Sequence, residues 1–140
     1  MKITLGSDHR GFALKQQIKQ HFPDFVDAGA TSYNPDDDYV DFAATAVKDL
    51  NGEDRAVLIC GSGHGMDIAA NRFPHVRAIL GFNFDVVKQG REHENANCLI
   101  IPSDWTSYEQ AIKHIEIFLN TPFSNESRHL RRLEKLKHKC

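Results

Sequence analysis

Five short apolar runs, separated by stretches that repeat at helical spacing, limit what this chain can fold into more than any other feature. The runs are Ile3 to Leu5, Asp24 to Asp27, Ala56 to Ile59, Arg77 to Leu80 and Cys98 to Ile101. Leu14, Ile18 and Phe22 predict a helix over Gly11 to Phe22, and Ala28 to Asp38 reads as a polar loop. Phe42, Ala43, Ala46, Val47 and Leu50 predict a second helix, ended by Asn51-Gly52. Further helices are expected from about Met66 to Asn71, from Asp85 to Arg91 and from Ser107 to Leu119. Arg128 to Lys137 reads as a charged amphipathic C-terminal helix with Leu130, Leu133 and Leu136 on one side.

Strands that alternate with helices predict an α/β fold. The expected architecture is a three-layer αβα sandwich, a Rossmann-like or flavodoxin-like five-stranded parallel sheet with helices on both faces. With 140 residues the chain reads as one domain, 1–140, large enough for a real core. The expected strand order, 2-1-3-4-5, makes the first and third strands neighbours at the switch point, where ligands bind outside the carboxyl ends. Gly6 to His9 follows the first strand and Cys60 to Gly65 follows the third, so the two loops are expected to share one crevice.

Composition removes several function classes. A formal net charge of −2 gives no electrostatic case for nucleic acid or an anionic membrane, and no apolar run approaches the length of a bilayer span. Met1 to Leu5 leads directly into strand pattern, so no signal peptide is expected. Cys60, Cys98 and Cys140 are widely spaced and form no CxxC pair, which argues against a disulfide framework or zinc ribbon and for a reducing, cytoplasmic setting. Asp and His residues are scattered, and no metal-ligand spacing such as HExxH supports a metal site.

The run Gly61-Ser62-Gly63-His64-Gly65 carries the strongest chemical signal. Glycines between a strand and a helix let backbone N–H groups face a ligand, and a helix N-terminus favours negative charge, so an anion site is expected here. Met66 stands where the third glycine of a dinucleotide fingerprint belongs, and no Gly-Lys-Ser/Thr completes a P-loop. Cys60 enters this loop either as a small buried hydrophobe or as a thiol whose pKa the same amides and dipole lower. Asp8 is either a helix cap or a crevice carboxylate. His93 reads as an exposed histidine near a helix end, and His21, His114 and His138 as surface residues. Arg128 and Arg132 lie one turn apart, a spacing that serves either a solvated face or a phosphate. Asp36-Asp37-Asp38 reads as a solvated loop.

Taken in order, several segments resemble the type B ribose-5-phosphate isomerase family, which includes galactose-6-phosphate and allose-6-phosphate isomerases. They are Gly6-Ser7-Asp8-His9-Arg10-Gly11-Phe12, Asp38-Tyr39, Cys60 to Met66, Ile68-Ala69-Ala70-Asn71, Arg91-Glu92-His93 and Arg128-His129-Leu130-Arg131-Arg132. The resemblance implies aldose–ketose isomerisation of a sugar phosphate through a cis-enediolate, without metal or organic cofactor. Family members place the base on this loop's cysteine or on a glutamate six residues on. Met66 occupies the second position, which leaves Cys60. Amides of Gly61, Gly63, His64 and Gly65 would stabilise the enediolate, and Ser62 matches a hydroxyl that contacts the sugar. His93 matches the ring-opening acid/base, Asp8 and Tyr39 the ligands of sugar hydroxyls, and His9, Arg128 and Arg132 the phosphate ligands. The resemblance also implies sites shared between subunits of a homodimer or dimer of dimers.

Three residues depart from the family pattern. Glu94 stands where an asparagine contacts substrate, Pro102-Ser103-Asp104 replaces Gly-x-Arg, and Arg10 replaces a small or apolar residue. Asp104 thus removes a cation that Arg10 could partly replace. The expected substrate is D-ribose 5-phosphate, with a hexose 6-phosphate as the alternative sugar and a non-catalytic sugar-phosphate sensor as the alternative class.

Overall fold

A computed structural model describes residues 1–140. In chain order the elements are β1 (Ile3–Ser7), α1 (Phe12–His21), β2 (Val26–Asp27), α2 (Tyr39–Val47), β3 (Arg55–Cys60), α3 (His64–Ala70), β4 (Ala78–Leu80), α4 (Phe84–Glu94), β5 (Cys98–Pro102), α5 (Tyr108–Asn120) and α6 (Ser127–Lys139). All strand pairs are parallel, as the α/β reading requires. Each of the expected strands and helices is present, with ends moved by a few residues.

The strand order is β2-β1-β3-β5-β4, which corrects the expected 2-1-3-4-5. A parallel strand with helices on both faces must be apolar throughout, whereas an edge strand is partly exposed. All five residues of β5 are buried, and the three of β4 are only half-buried. β5 therefore takes the inner position beside β3, and β4 forms the edge. The neighbours that build the crevice, β1 and β3, are as expected.

Period-two alternation assigns the strand residues to two cores. Leu5, Val57, Ile59, Leu99 and Ile101 pack with Leu14 and Ile18 of α1, Val87 of α4, and Ile115 and Phe118 of α5. Ala56, Leu58, Cys60, Cys98 and Ile100 pack with Ala43, Ala46 and Val47 of α2 and Met66 and Ala70 of α3. Cys60 thus points to the α2/α3 face, in the same cluster as Met66.

Two buried polar residues follow from these helix faces. Lys15 is wholly buried, with Nζ 2.7 Å from an Asp27 carboxylate oxygen and 2.6 Å from the Ala30 carbonyl. It ties α1 to the segment after β2, whose backbone continues to pair with β1 through Ser7 N to Gly29 O and Ala30 N to Ser7 O. His114, read above as a surface residue, is buried. It shares the inward face of α5 with Ala111, Ile115 and Phe118, and its ring meets that of Phe84 edge-on, with centroids 4.9 Å apart. Burial pushes its pKa down, favouring the neutral ring.

No helix is long and apolar enough to cross a membrane. On α6, Leu130 and Leu136 are each 47% exposed, so this chain alone leaves much of the helix's apolar stripe uncovered.

Candidate active site

The loops after β1, β3 and β5 meet at the carboxyl edge of the sheet. Asp8 is buried, and its Oδ1 accepts from the amides of Arg10 at 3.0 Å and Gly11 at 3.1 Å. These bonds close the turn before α1 and hold the carboxylate at the switch point; Asp8 is not the helix cap, since Gly11 is the N-cap of α1 and no side chain caps it. His9 donates its amide to Asp37 Oδ1 at 3.0 Å and sets Nδ1 2.7 Å from the same oxygen. Asp37 is thus not part of a solvated loop: its side chain is 8% exposed because the loop folds back over the end of β1. Asp8, His9 and Asp37 bring three metal-capable atoms within 4.8 Å of one another, a grouping the His9–Asp37 hydrogen bonds already explain.

Cys60 is 4% exposed at the entrance to the glycine loop. Gly63 has φ +82°, a left-handed conformation suited to glycine, and caps α3. That turn starts α3 at His64, two residues before the expected start, and Ser62 Oγ accepts from the His64 amide at 3.2 Å. The Tyr39 ring lies on Gly65, with ring carbons 2.6 to 2.8 Å from where a Cβ would stand. The Arg10 guanidinium covers Gly61 in the same way and forms an ion pair with Asp104. The carboxylate in place of the family's arginine therefore meets a cation from across the crevice.

Several effects compete at the Cys60 thiol. Burial pushes its pKa up, amides of Met66 and Gly63 pull it down, Asp8 pushes it up and Arg10 pulls it down. Burial wins, and the pKa lies above the ordinary thiol value. The helix-end amides act in the direction read from the sequence but do not prevail in a single chain.

The remaining candidates lie elsewhere. His93 and Glu94 end α4, which starts at the carboxyl edge and runs back to the amino edge. There the Glu94 carbonyl accepts from Arg77 Nε at 3.1 Å, next to the start of β4. Arg128 and Arg132 are exposed on α6, and Arg128 pairs with Glu126 at 2.8 Å. The His93 ring stacks on His129 at 4.3 Å, which orients it between α4 and α6. Desolvation first, then His93 and nearby cations, push the His129 pKa down. The rise of β3 from Arg55 to Cys60 separates the two groups by roughly 16 Å. One chain therefore holds the two groups of candidate residues at opposite edges of its sheet.

Sequence reasoning missed the parts of Arg91 and Ser103. Arg91 is buried and donates to the Thr121 carbonyl at 3.1 Å, the Asn95 side chain at 3.0 Å and the Ala96 carbonyl at 2.5 Å. It anchors the His93 end of α4 to the segment leading into α6, and burial lowers its pKa to about 10. Ser103 donates its amide to the Cys60 carbonyl at 2.9 Å. A charged residue beside a motif histidine was the available signal for Arg91; Ser103 offered none.

The family model for Ribose/Galactose Isomerase matches residues 3–136. The chain belongs to the ribose/galactose isomerase family. It is 38% identical to "Ribose-5-phosphate isomerase B" of Mycolicibacterium paratuberculosis, over 97% of this chain and 89% of that relative. A crystal structure of a ribose 5-phosphate isomerase from Thermotoga maritima superimposes with TM-score 0.92 at 37% identity, over 98% of this chain and 97% of the other. Ribose-5-phosphate isomerase B from Mycoplasma genitalium, solved with bound ribulose-5-phosphate, superimposes with TM-score 0.93 at 33% identity, over 98% and 94% of the two chains. In this ribose/galactose isomerase Cys60 lies at the carboxyl edge, and the position of the alternative glutamate holds Met66, wholly buried in the core.

Proposed function

We propose that this protein interconverts D-ribose 5-phosphate and D-ribulose 5-phosphate through a cis-enediolate, with Cys60 as the base. The observation that carries the reading is the position of Cys60 at the carboxyl edge, near Asp8 of the neighbouring loop and with the amides of Met66 and Gly63 directed at its sulfur. The Cys60 thiolate takes the proton from C2 of the open-chain aldose and returns it to C1, while the O2 proton passes to O1. Negative charge on the enediolate oxygens is met by amides of Gly61, Gly63, His64 and Gly65, of which Gly63 and His64 exchange the Cys60 sulfur and the Ser62 hydroxyl for substrate. Ser62, Asp8 and Tyr39 hold sugar hydroxyls, and His9 helps hold the phosphate.

His93 opens the furanose by moving a proton between the ring oxygen and O1, with Glu94 beside it and Arg128 and Arg132 on the phosphate. These four come from a second copy of the chain, in a homodimer or dimer of dimers. What supports the second copy is the separation of the half-sites: neither edge holds both the base and the ring-opening group. The partner's arginines add the positive charge that this edge of a single chain lacks. We read residues 1–140 as one isomerase domain working without metal or organic cofactor, and the three free cysteines suit a reducing cytoplasm.

Incubation with a panel of pentose and hexose phosphates, followed by detection of the ketose, tests the substrate. Ribose 5-phosphate should turn over fastest, and a faster hexose 6-phosphate would replace it as substrate. Cys60→Ser should lose most turnover while still binding substrate, and a wild-type rate would refute the base. Stabilisation by sugar phosphates without turnover of any would mark a sensor.

A further inference from the structure

One ion pair spans the turn that bears the candidate base. Arg10 comes from the loop after β1 and Asp104 from the turn after β5, while β3 lies between those strands. The guanidinium rests on the Cα of Gly61, where any side chain would collide with it. From the other side, the Asp104 amide donates to the Gly61 carbonyl at 3.0 Å and the Ser103 amide to the Cys60 carbonyl at 2.9 Å. The Ser103 hydroxyl reaches the carbonyls of Arg10 at 3.1 Å and Cys60 at 3.2 Å. The Cys60-Gly61 turn is thus gripped by both partners of the pair.

We propose that Arg10, steered onto Gly61 by Asp104, is the positioning residue that sets the reactivity of the Cys60 thiol. This deepens the reading of Cys60 as base and rests on it. The charged and titratable groups around the turn are Asp8 and Arg10 from the first loop, Asp104 from the last, His64 and Asp67 on α3 and Tyr39 on α2. Arg10 is the permanent cation among them. It favours the thiolate: its direct pull on the Cys60 pKa has that sign, though it is weaker than those of burial, the loop amides and Asp8, and Asp104 holds the cation in place. At 52% and 35% side-chain exposure, the pair adds little to stability.

The test reads the thiol itself. The intact protein is alkylated with iodoacetamide across a pH series and the rate at Cys60 is followed peptide by peptide, because Cys140 is exposed and reacts as well. Thiolate absorbance, measured against Cys60→Ser in each background, provides a second reading. Arg10→Gln should slow alkylation at neutral pH by roughly twofold or more. Asp104→Asn loosens the hold on the guanidinium, so it should slow alkylation in the same direction as Arg10→Gln but by less. The charge swap Arg10→Asp with Asp104→Arg restores an ion pair but moves the cation off Gly61, and should be at least as slow as Arg10→Gln. An unchanged rate in Arg10→Gln, faster alkylation in Asp104→Asn, or rescue by the swap would each overturn the proposal. Wild-type turnover in Cys60→Ser would instead remove the base assignment and leave these thiol measurements standing.

Discussion

Replacing Lys15 by methionine isolates the polar contribution of a residue that packing alone does not explain. Methionine keeps most of the buried stem and removes Nζ, which bonds Asp27 at 2.7 Å and the Ala30 carbonyl at 2.6 Å. The orphaned carbonyl costs about 1–3 kcal/mol. Breaking a fully buried ion pair would add about 3–5 kcal/mol. Asp27 retains 29% side-chain exposure and an amide bond from Gly29 at 2.9 Å, so much less of that second cost applies. Losing the desolvation penalty of the ammonium offsets a further part. The net expectation is about 2–4 kcal/mol, or roughly 6–14 °C in Tm for a chain of this size. Urea and thermal unfolding at one fixed protein concentration measure it, since assembly makes Tm concentration-dependent. Adding Asp27→Asn should recover part of the loss by neutralising the stranded carboxylate. A loss of Lys15→Met below about 0.5 kcal/mol would refute the claim that Nζ bonding locks the segment after β2.

Gly65→Ala should displace the Tyr39 ring, which is 38% exposed and free to swing outward. We expect KM for the sugar phosphate to rise about three- to tenfold with stability nearly unchanged, a binding loss of about 1 kcal/mol; steady-state kinetics beside a thermal melt checks both. Cys60 and Cys98 both have pKa values raised by burial in the folded chain. The unfolded chain therefore ionises first, and the thiols' contribution to stability, fully present below about pH 8.5, falls as pH rises towards the folded values. Urea midpoints from neutral to alkaline pH should show this decline, with a shallower slope in Cys60→Ser; an unchanged slope would contradict the raised thiol.

Much of the architecture was legible because helix and strand impose different apolar periods. The crevice loops followed from β1 and β3 being neighbours, and the register of β3 against β1 bears this out. The exchange of β4 and β5 was also readable in principle: Cys98-Leu99-Ile100-Ile101 is apolar on both faces, whereas the other run begins with Arg77. His114 was misread by residue type although its spacing from Ala111 and Phe118 places it on the buried face. The Asp37 contact with His9 spans 28 positions and depends on a loop path no local pattern encodes. The crowding of Arg10 on Gly61 likewise exists only after the sheet brings three loops together.

The direction of α4 has a genetic consequence if two copies complete each site as proposed. Cys60 and His93 then act as separate complementation groups within one coding sequence. Coexpressed Cys60→Ser and His93→Ala chains, each inactive alone, should form mixed pairs that contain one intact site. Activity would return without any chain carrying both functional residues, and damage to either edge would be recessive in mixed assemblies.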